Sequence, residues 1–365
     1  MAPPLLEVRL RQCGKCVKAQ RIPKNLTPPS HITGSLRSME SADTTIHAPA
    51  STIASGANSC SAAKVHTVAV TGSTGLVGKA LCEELRKEGY HVIRLLREGA
   101  RGLDDRIWNP TNPDPDILNG IDALIHLAGE STEGIWTQDK KRRIRDSRVI
   151  PTRKLAELVA QSDTVHTFIC ASAISIYGDS RGAEVLTEVS APGDGFFADV
   201  VQKWEGACQP ARAAGKRVVN VRTGIVLSRD GGVLPLLVDI FNWGGGGLIG
   251  MGKRWMSWID IDDLTRIYAM MLTCDTLEGP VNATSPEPCT NSHFTKALGV
   301  VLDRPTGLII PAIASTMVGH QGARQLAMSD QRAQPRKLQD LPNHGFFFQY
   351  RTIEQSLYHQ LPEDD

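Results

Sequence analysis

The sequence has few aromatic residues, almost no net charge and no long apolar run. Aromatic residues make up 5% of the 365 positions, and 40 Lys and Arg offset 39 Asp and Glu to a formal charge of +1. No stretch of about 18 consecutive apolar residues occurs, so no membrane-spanning helix is predicted. The composition leaves peripheral membrane association open. With 41% apolar residues, the chain is neither a collagen, a coiled coil nor wholly disordered, and it has material for a core.

The near-zero charge is a sum over two unlike segments. Residues 1–66 contain eight bases and three acids, a net charge of +5, which leaves 32 bases and 36 acids, or −4, for the rest. A mildly acidic body does not predict a nucleic-acid partner. The cysteines show no disulfide framework, and the single CxxC at Cys13–Cys16 has no second ligand pair for zinc. We therefore predict no metal.

The basic N-terminal segment has the composition of a targeting leader. Between residues 31 and 64, 18 of 34 residues are Ser, Thr or Ala, and only Glu40 and Asp43 are acidic. Such a segment cannot bury enough apolar surface to offset its ordering entropy. We predict a disordered transit peptide over residues 1–64, with the plastid as the first destination and the mitochondrion as the second. A disordered cytosolic tail is the alternative.

A glycine-rich turn follows the leader in a strand–turn–helix–strand context. The β-branched run 65–70 predicts a buried strand, and helical periodicity follows over 79–88 until Gly89, where a left-handed cap is expected. The run 91–96 predicts the next strand. This context is typical of a dinucleotide fingerprint, in which the glycines permit a tight turn, close backbone approach to a pyrophosphate and helix packing. The candidate cofactor residues are Gly72, Ser73, Thr74, Gly75, Leu76, Val77 and Gly78.

The residue after the second strand bears on the choice of dinucleotide. Arg97 follows Gly78 by 19 residues, and a guanidinium suits the 2′-phosphate of NADP(H). Glu98 is the competing residue, because a one-residue shift would place a carboxylate on the ribose of NAD(H). The sequence favours NADP(H), with NAD(H) as the alternative.

Further buried strands alternate with helices. Strands are predicted over 122–127, 165–172 and 217–221, and helices over 137–161, kinked or split at Pro151, and 199–214. This alternation predicts an α/β fold with a doubly wound parallel sheet, whose ligands lie at the carboxyl ends of the strands. The residues at those ends extend the candidate cofactor set: Leu127, Ala128, Gly129, Ser172 and Arg222.

Several motifs together resemble one known family. They are Thr71–Gly78, Leu127–Glu130, Ala171-Ser172 through Tyr177-Gly178-Asp179, and Trp258–Leu264. The chain is similar over about residues 66–359 to an atypical extended short-chain dehydrogenase/reductase, in the branch called epimerase family protein. Plastid members of that branch include a division factor resembling cyanobacterial SulA. The resemblance implies a Rossmann core and a small C-terminal substrate-side lobe.

The chain departs from the classical members of that family at the catalytic helix. Those members use a Tyr-x-x-x-Lys pair to pass a proton as hydride moves. Here the helix begins Phe196-Phe197, and Val200 or Val201 stands where the Lys belongs. Ser172 and Tyr177 are the remaining catalytic candidates, expected to line the cleft; packing on the nicotinamide is the alternative for Tyr177.

Three other clusters are less specific. Trp255 and Trp258, in the stretch 250–258, are candidate substrate contacts in an apolar lid, with core packing as the alternative. The basic run 140–145 reads as a solvated helix face rather than a phosphate patch. Asp260, Asp262 and Asp263 are expected to cap a helix rather than hold a metal.

The sequence thus predicts four segments and a redox function. These are a leader over 1–64, an NAD(P)-binding Rossmann core over 65–230, the remaining core elements with the lobe over 231–359, and a tail over 360–365. We expect an NADP(H)-dependent oxidoreductase or epimerase acting on a small organic molecule. A non-catalytic nucleotide-binding regulator, for example of plastid division, is the alternative. The sequence does not define the oligomeric state.

Overall fold

The structure describes five ranges of the chain. The structure is a computed structural model that describes residues 65–244, 246–249, 252–310, 330–342 and 345–362. The predicted transit peptide and the CxxC of the leader lie outside these residues. In the part that is described, no helix is both long and apolar enough to cross a lipid bilayer.

Strands and helices alternate through the first two thirds of the described chain. The strands are β1 Thr67–Thr71, β2 His91–Leu96, β3 Asp105–Ile107, β4 Ala123–His126, β5 Thr167–Ala173, β6 Ser180–Leu186, β7 Arg217–Thr223, β8 Ile225–Leu227, β9 Gly247–Ile249, β10 Trp255–Met256, β11 Trp258–Asp260, β12 Gly279–Ala283, β13 Cys289–Thr290, β14 Leu308–Ile310 and β15 Asp330–Ala333. The helices are α1 Leu76–Lys87, α2 Gln138–Gln161, α3 Phe196–Gly206, α4 Gln209–Ala213, α5 Val233–Asn242, α6 Ile261–Thr273, α7 Asn291–Val301, α8 Arg336–Gln339 and α9 Ile353–Gln360.

Seven strands form one parallel sheet. Their order is β12-β7-β5-β4-β1-β2-β3, and every neighbouring pair is parallel. The order reverses at β1, which pairs with β2 on one side and β4 on the other. In sheets of this kind, ligands bind outside the carboxyl ends of the strands at the reversal point. The predicted doubly wound parallel sheet is confirmed.

The side chains of each strand alternate between two hydrophobic layers. Val68 and Val70 of β1 pack with Leu81 and Leu85 of α1, while Ala69 faces the layer formed with α2. All five are fully buried. Because both faces of the sheet are covered by helices, the central strands are continuous apolar runs, which is the pattern the sequence shows. Gly89 takes φ +87° after α1, as expected for a left-handed cap.

A separate hydrophobic cluster lies in the C-terminal third. It is formed by α5, α7 and α9 with the short strands β10 and β11, and Trp258 is its largest fully buried side chain. The short strands pair outside the main sheet, β8 with β11, β10 with β13, β9 with β14 and β6 with β15. The predicted boundary at residue 230, between the Rossmann core and the lobe, stays a prediction.

Some predicted elements differ from those observed. Helix α2 runs without interruption through Pro151, since the lost amide falls inside a helix held by its buried face. The predicted helix 199–214 is two helices, α3 and α4, with Pro210 near the start of the second. Strands β3 and β12 at the two sheet edges were not predicted, because short edge strands carry little periodicity.

Candidate functional site

The glycine turn between β1 and α1 is a backbone structure in which side chains would clash. Gly72 takes φ +69°, and a Cβ there would lie 2.8 Å from the Ala128 amide nitrogen. A Cβ on Gly78 would overlap the carbonyl oxygen of Gly72. The Gly75 amide closes the turn by donating to the Gly72 carbonyl at 3.0 Å. The turn, α1 and the β4 loop therefore approach one another as closely as backbone allows.

The N-terminus of α1 carries donors that the described protein leaves unpaired. Its N-cap residue is Gly75, which has no side chain to accept from the first-turn amides. The Ser73 hydroxyl is buried and has no hydrogen-bond partner among the described residues. Unpaired amides at a helix N-terminus together with an orphan hydroxyl form an anion-binding arrangement. A pyrophosphate fits this chemistry.

A buried threonine joins the glycine turn to the loop after β4. Thr71 Oγ1 accepts from the amides of Leu127 and Ala128 at 3.1 and 3.2 Å. Its own proton is therefore directed to His126 Nδ1, 2.7 Å away. Burial lowers the pKa of His126 to about 3, so the imidazole is neutral and can accept that bond. Sequence reasoning missed Thr71 and His126 in this role, because their pairing depends on the register of β1 and β4.

A cleft of about 740 Å³ opens at the carboxyl ends of β1, β2 and β4. This volume lies within the usual range for a cofactor site. Eight of its lining residues are predicted cofactor residues: Gly72, Ser73, Thr74, Gly75, Arg97, Leu127, Ala128 and Gly129. Leu76, Val77 and Gly78 follow in the first turn of α1. Trp108, Pro110 and Thr111, just after the unpredicted strand β3, form part of its wall and were missed.

Arg97 and Glu98, the two residues that bear on the choice between NADP(H) and NAD(H), both line this cleft. Arg97 and Glu98 are exposed, at the end of β2. Arg142 and Arg143 of α2 line the same cleft. Their run was expected to be only a solvated helix face. The two side chains are more than half exposed, at 64% and 57%, but α2 starts beside the cleft and brings them to its rim.

Ser172 and Arg222 belong to a buried polar network rather than to the cleft wall described above. Ser172 Oγ donates to Glu205 Oε1 at 2.6 Å. Arg222 donates to both oxygens of the same carboxylate, at 2.8 and 2.9 Å. All three side chains are largely buried because α3 packs over the ends of β5 and β7. Glu205 was not predicted; a lone Glu on a helix gives no sequence signal for such a pair.

Tyr177 is fully buried, in contrast to the expectation that it lines the cleft. Its hydroxyl lies 2.7 Å from Asn282 Oδ1 and 2.9 Å from the Thr187 carbonyl oxygen, and it accepts from Arg222 Nη1 at 3.1 Å. Burial raises its pKa, and the neighbouring guanidinium offsets part of that rise. The cause is a short 3-10 turn over Ile174–Tyr177, which directs the ring inward. This geometry favours a structural role for the phenol.

The two tryptophan candidates for substrate contact differ in their surroundings. Trp258 is fully buried, and its indole donates to the Glu287 carbonyl at 3.2 Å, so it is a core residue of the C-terminal cluster. Trp255 is half-buried, with the Arg332 guanidinium 4.4 Å from its ring centroid. Core packing, the alternative interpretation, accounts for Trp258. Residues 250 and 251 of the predicted lid lie outside the described residues.

Aromatic side chains occupy the start of α3, where the classical family has its catalytic pair. Phe196 and Phe197 contact each other at 5.2 Å and the Trp136 ring at 6.2 and 4.6 Å between centroids. Val200 and Val201 are buried behind them. None of these groups exchanges a proton. The departure seen in the sequence therefore leaves no Tyr-x-x-x-Lys pair on this helix.

The acidic residues at the end of β11 and the start of α6 cap α6 and hold it to the C-terminal segment. Asp260 accepts from the Asp262 amide as the N-cap of α6, and also from Ser356 of α9. Asp263 accepts from the amides of Gln349 and Tyr350 at 2.9 Å each. The predicted N-cap role is confirmed for Asp260. The Asp262 carboxylate contacts His359 at 2.7 Å, and that of Asp263 binds the two backbone amides.

Comparisons with known proteins agree with the fold and the glycine turn. The model of the NAD dependent epimerase/dehydratase family matches residues 68–282. The chloroplastic epimerase family protein SDR39U1 homologue of Arabidopsis thaliana is 32% identical over 305 residues, covering 80% of this chain and 85% of that one.

Two solved structures are similar in sequence as well as in fold. Human epimerase family protein SDR39U1 with NADPH has 28% identity and a TM-score of 0.72, covering 82% of this chain and all of that one. The nucleoside-diphosphate sugar epimerase of Corynebacterium glutamicum has 44% identity and a TM-score of 0.70. That match covers 81% of this chain but only 58% of the bacterial one.

The fold and the glycine turn define a Rossmann-type, NAD(P)-binding protein. More specifically, the chain belongs to the NAD dependent epimerase/dehydratase family, among the extended short-chain dehydrogenases/reductases that include the epimerase family proteins named SDR39U1.

Proposed function

We propose that this protein binds NADP(H) and acts as an oxidoreductase or epimerase on a small organic substrate. The observation that carries the proposal is the N-terminus of α1, where uncapped amides meet the unpaired hydroxyl of Ser73 at the edge of the cleft. A pyrophosphate would satisfy these donors. The structure of the human relative SDR39U1 with NADPH supports the same class of ligand.

The proposed preference for NADP(H) rests on charge around the adenosine half of the cleft. In this fold, the second strand ends beside the ribose of the adenosine. Arg97 stands there, and Arg142 and Arg143 reach the rim from α2. Arg143 is already 3.4 Å from Glu130, and Arg142 is 2.9 Å from Asp139, so Arg97 is the guanidinium we assign to the 2′-phosphate.

The proposed redox role assigns the rest of the dinucleotide to the carboxyl ends of β4 and β5. Leu127, Ala128 and Gly129 would run along it, with Ser172 and Arg222 behind them. When bound, the nicotinamide supplies hydride chemistry. Ser172, whose proton is directed to Glu205, is the hydroxyl group proposed for proton handling in the absence of the classical pair. Tyr177, the other candidate from the sequence, is fully buried, and its hydroxyl is held by Asn282 and Arg222, so we assign it a structural role.

A non-catalytic regulator is the second candidate, and one observation favours it. The start of α3 holds an aromatic cluster instead of a proton donor, and Tyr177 has no exposed surface. A protein that binds the dinucleotide and changes its contacts with a partner would need neither group. Regulation of plastid division is the specific form of this alternative, through the resemblance to the SulA-like division factor.

We also propose that the protein works in a plastid. The support is the Ser-, Thr- and Ala-rich basic leader together with the Arabidopsis relative named chloroplastic.

Turnover separates the two candidate functions. The full chain is mixed with NADPH and a library of small carbonyl compounds, and loss of NADPH absorbance is followed with and without protein. The enzyme proposal predicts protein-dependent oxidation with at least one carbonyl class. Stoichiometric NADPH binding without oxidation across the library would favour the regulator. The same assay with Gly78→Ala, in which the glycine turn is blocked, controls for contaminating reductases.

A further inference from the structure

Arg148 is a charged residue in a buried stripe of α2. The side chains four residues before and after it, Ile144 and Thr152, are fully buried against the sheet, as is Leu155 one turn on. These spacings place all four on one helix face. An arginine at such a position is unusual, because its charge loses hydration.

The guanidinium of Arg148 is only partly satisfied by the protein. Nη1 donates to the carbonyl oxygens of Ile144 and Glu130 at 3.0 and 3.1 Å, and Cζ lies 5.3 Å from the Trp204 ring centroid. Among the described residues, neither Nε nor Nη2 has a hydrogen-bond partner, and no carboxylate lies within ion-pair distance of the group. Burial lowers the pKa of Arg148 to about 10, which still leaves it charged at neutral pH.

Nearby carboxylates are occupied by other cations. Glu130 Oε1 accepts from Lys140 at 2.8 Å and lies 3.4 Å from Arg143, and Asp146 pairs with Arg145 at 2.8 Å. The Glu130 carboxylate acts on Arg148 and raises its pKa, but it lies beyond ion-pair distance, so Arg148 has no ion-pair partner among the described residues. A largely buried cation of this kind is stabilised when a ligand supplies the opposite charge.

Arg148 lies directly behind the cleft wall, on the β4 side of the cleft rather than the β2 side. Its Cζ packs against Gly129, where an added Cβ would lie 3.3 Å away, and its neighbour Ser147 lines the cleft. Gly129 follows β4, and Trp204 is on α3, which packs over β5. The adenosine half belongs on the opposite side, towards β2. Arg148 is therefore near the reacting half of the site, away from Arg97.

We infer that Arg148 binds an oxyanion of the substrate, a carboxylate or a phosphate ester, beside the nicotinamide half of the cleft. The free Nε and Nη2 of Arg148 form one bidentate edge, which suits such a group because it can form parallel hydrogen bonds to two oxygens. This inference rests on the proposed function, because it uses the dinucleotide to define the two halves of the site. It narrows the substrate class to anionic molecules.

The test uses two anion probes on the full chain saturated with NADPH. Acetate and inorganic phosphate are titrated separately by calorimetry, so that the two sources of an oxyanion are distinguished. Binding of either probe is expected in the wild type, with at least a ten-fold weaker Kd in Arg148→Gln and an intermediate value in Arg148→Lys. Arg153→Gln, on the exposed face of the same helix, should leave the probe Kd unchanged.

Separate readouts keep the inference distinct from the proposed function. The Kd of NADPH is measured first for every variant, and Arg148→Gln should change it less than three-fold. Failure of the wild type to bind NADPH would refute the proposed function. Normal NADPH binding with neither anion bound, or with anion binding unchanged in Arg148→Gln, would overturn the inference. A fall in NADPH affinity equal to the fall in anion affinity would also overturn it, by assigning Arg148 to the dinucleotide. Thermal unfolding of each variant checks that it is folded.

Discussion

Glu205 of α3 and Arg222 of β7 form a bidentate ion pair beneath the carboxyl ends of the sheet. Arg222 Nε and Nη2 donate to the two carboxylate oxygens at 2.8 and 2.9 Å. The Glu205 side chain is only 14% exposed and the Arg222 side chain only 7%. Ser172 donates to the same carboxylate. The pair therefore holds α3 to β5 and β7, behind the region we assign to the nicotinamide.

Removing one charge of this pair is expected to destabilise the fold strongly. Glu205→Gln leaves the Arg222 guanidinium buried without an opposite charge, and the expected loss in free energy of unfolding is about 3 kcal/mol. Urea denaturation measures it. Glu184→Gln is the matched control, because Glu184 pairs with Arg181 on the surface and is 50% exposed; its expected effect is below about 0.5 kcal/mol. Equal effects of the two changes would contradict the assignment.

His126 is expected to make the fold sensitive to mild acid. Its pKa is lowered from the ordinary value of 6.5 to about 3 by burial, so between these values the unfolded chain binds a proton that the folded chain does not. The free energy of unfolding should therefore decrease as pH falls from 6.5 towards 3, by up to about 1.4 kcal/mol per pH unit.

The comparison variant is His126→Asn, whose amide oxygen can accept from Thr71 as Nδ1 does and does not titrate. Urea denaturation of both proteins between pH 7 and pH 4.5 gives the difference in their free energies of unfolding. The wild type should lose stability relative to the variant as the pH decreases. A difference that is independent of pH would show that His126 is not held neutral.

Two glycines of the turn should respond differently to the same added methyl group. In Gly78→Ala the methyl overlaps the Gly72 carbonyl oxygen, so we expect a loss of at least about 3 kcal/mol in the free energy of unfolding. In Gly75→Ala it lies 3.4 Å from the same oxygen, and the backbone there, at φ −78°, suits any residue. This variant should fold within about 1 kcal/mol of the wild type.

The two variants also separate folding from ligand binding. Gly75→Ala places a methyl where the pyrophosphate is proposed to approach the backbone, and the Kd of NADPH should rise at least ten-fold in a protein of normal stability. Fluorescence titration with NADPH checks this. Unchanged affinity in folded Gly75→Ala would argue that the dinucleotide does not lie on this turn.

Arg97 should control the choice between the two dinucleotides. Arg97→Asp replaces the proposed 2′-phosphate ligand by a carboxylate, so the ratio of NADH affinity to NADPH affinity should increase by at least a hundred-fold. Arg101→Asp makes the same change of charge four residues later at an exposed position and should alter the ratio little. If both variants shift the ratio equally, the effect is general electrostatics and the assignment of Arg97 is wrong.

The fold was predictable because its signals are local. The glycine turn, the run His91–Leu96, which became β2 with the same boundaries, and Gly89 each act within a few residues. Strands β3 and β12 escaped prediction because three to five residues at a sheet edge carry no distinct period. Pro151 was expected to kink or split the helix; α2 is not split, because the packing of its buried face keeps the helix continuous.

The candidate site was predictable where backbone chemistry defines it and not where tertiary packing does. The roles of Gly72 and Gly78 were predictable, because the spacing of the glycines indicates a turn that has no room for side chains. The inward orientation of Tyr177 depends on partners 45 and 105 residues away, Arg222 and Asn282. The pairing of Ser172 with Glu205 spans 33 residues and two elements. Such contacts depend on the order and register of the strands, so no local sequence pattern predicts them.

Dinucleotide binding by the unaltered full chain is the most direct test of the central claim. Isothermal titration of the protein with NADPH and, separately, with NADH gives both affinities and the stoichiometry. We predict one NADPH bound per chain, with a Kd at least ten-fold lower than that for NADH. Absence of binding by either dinucleotide would contradict the account.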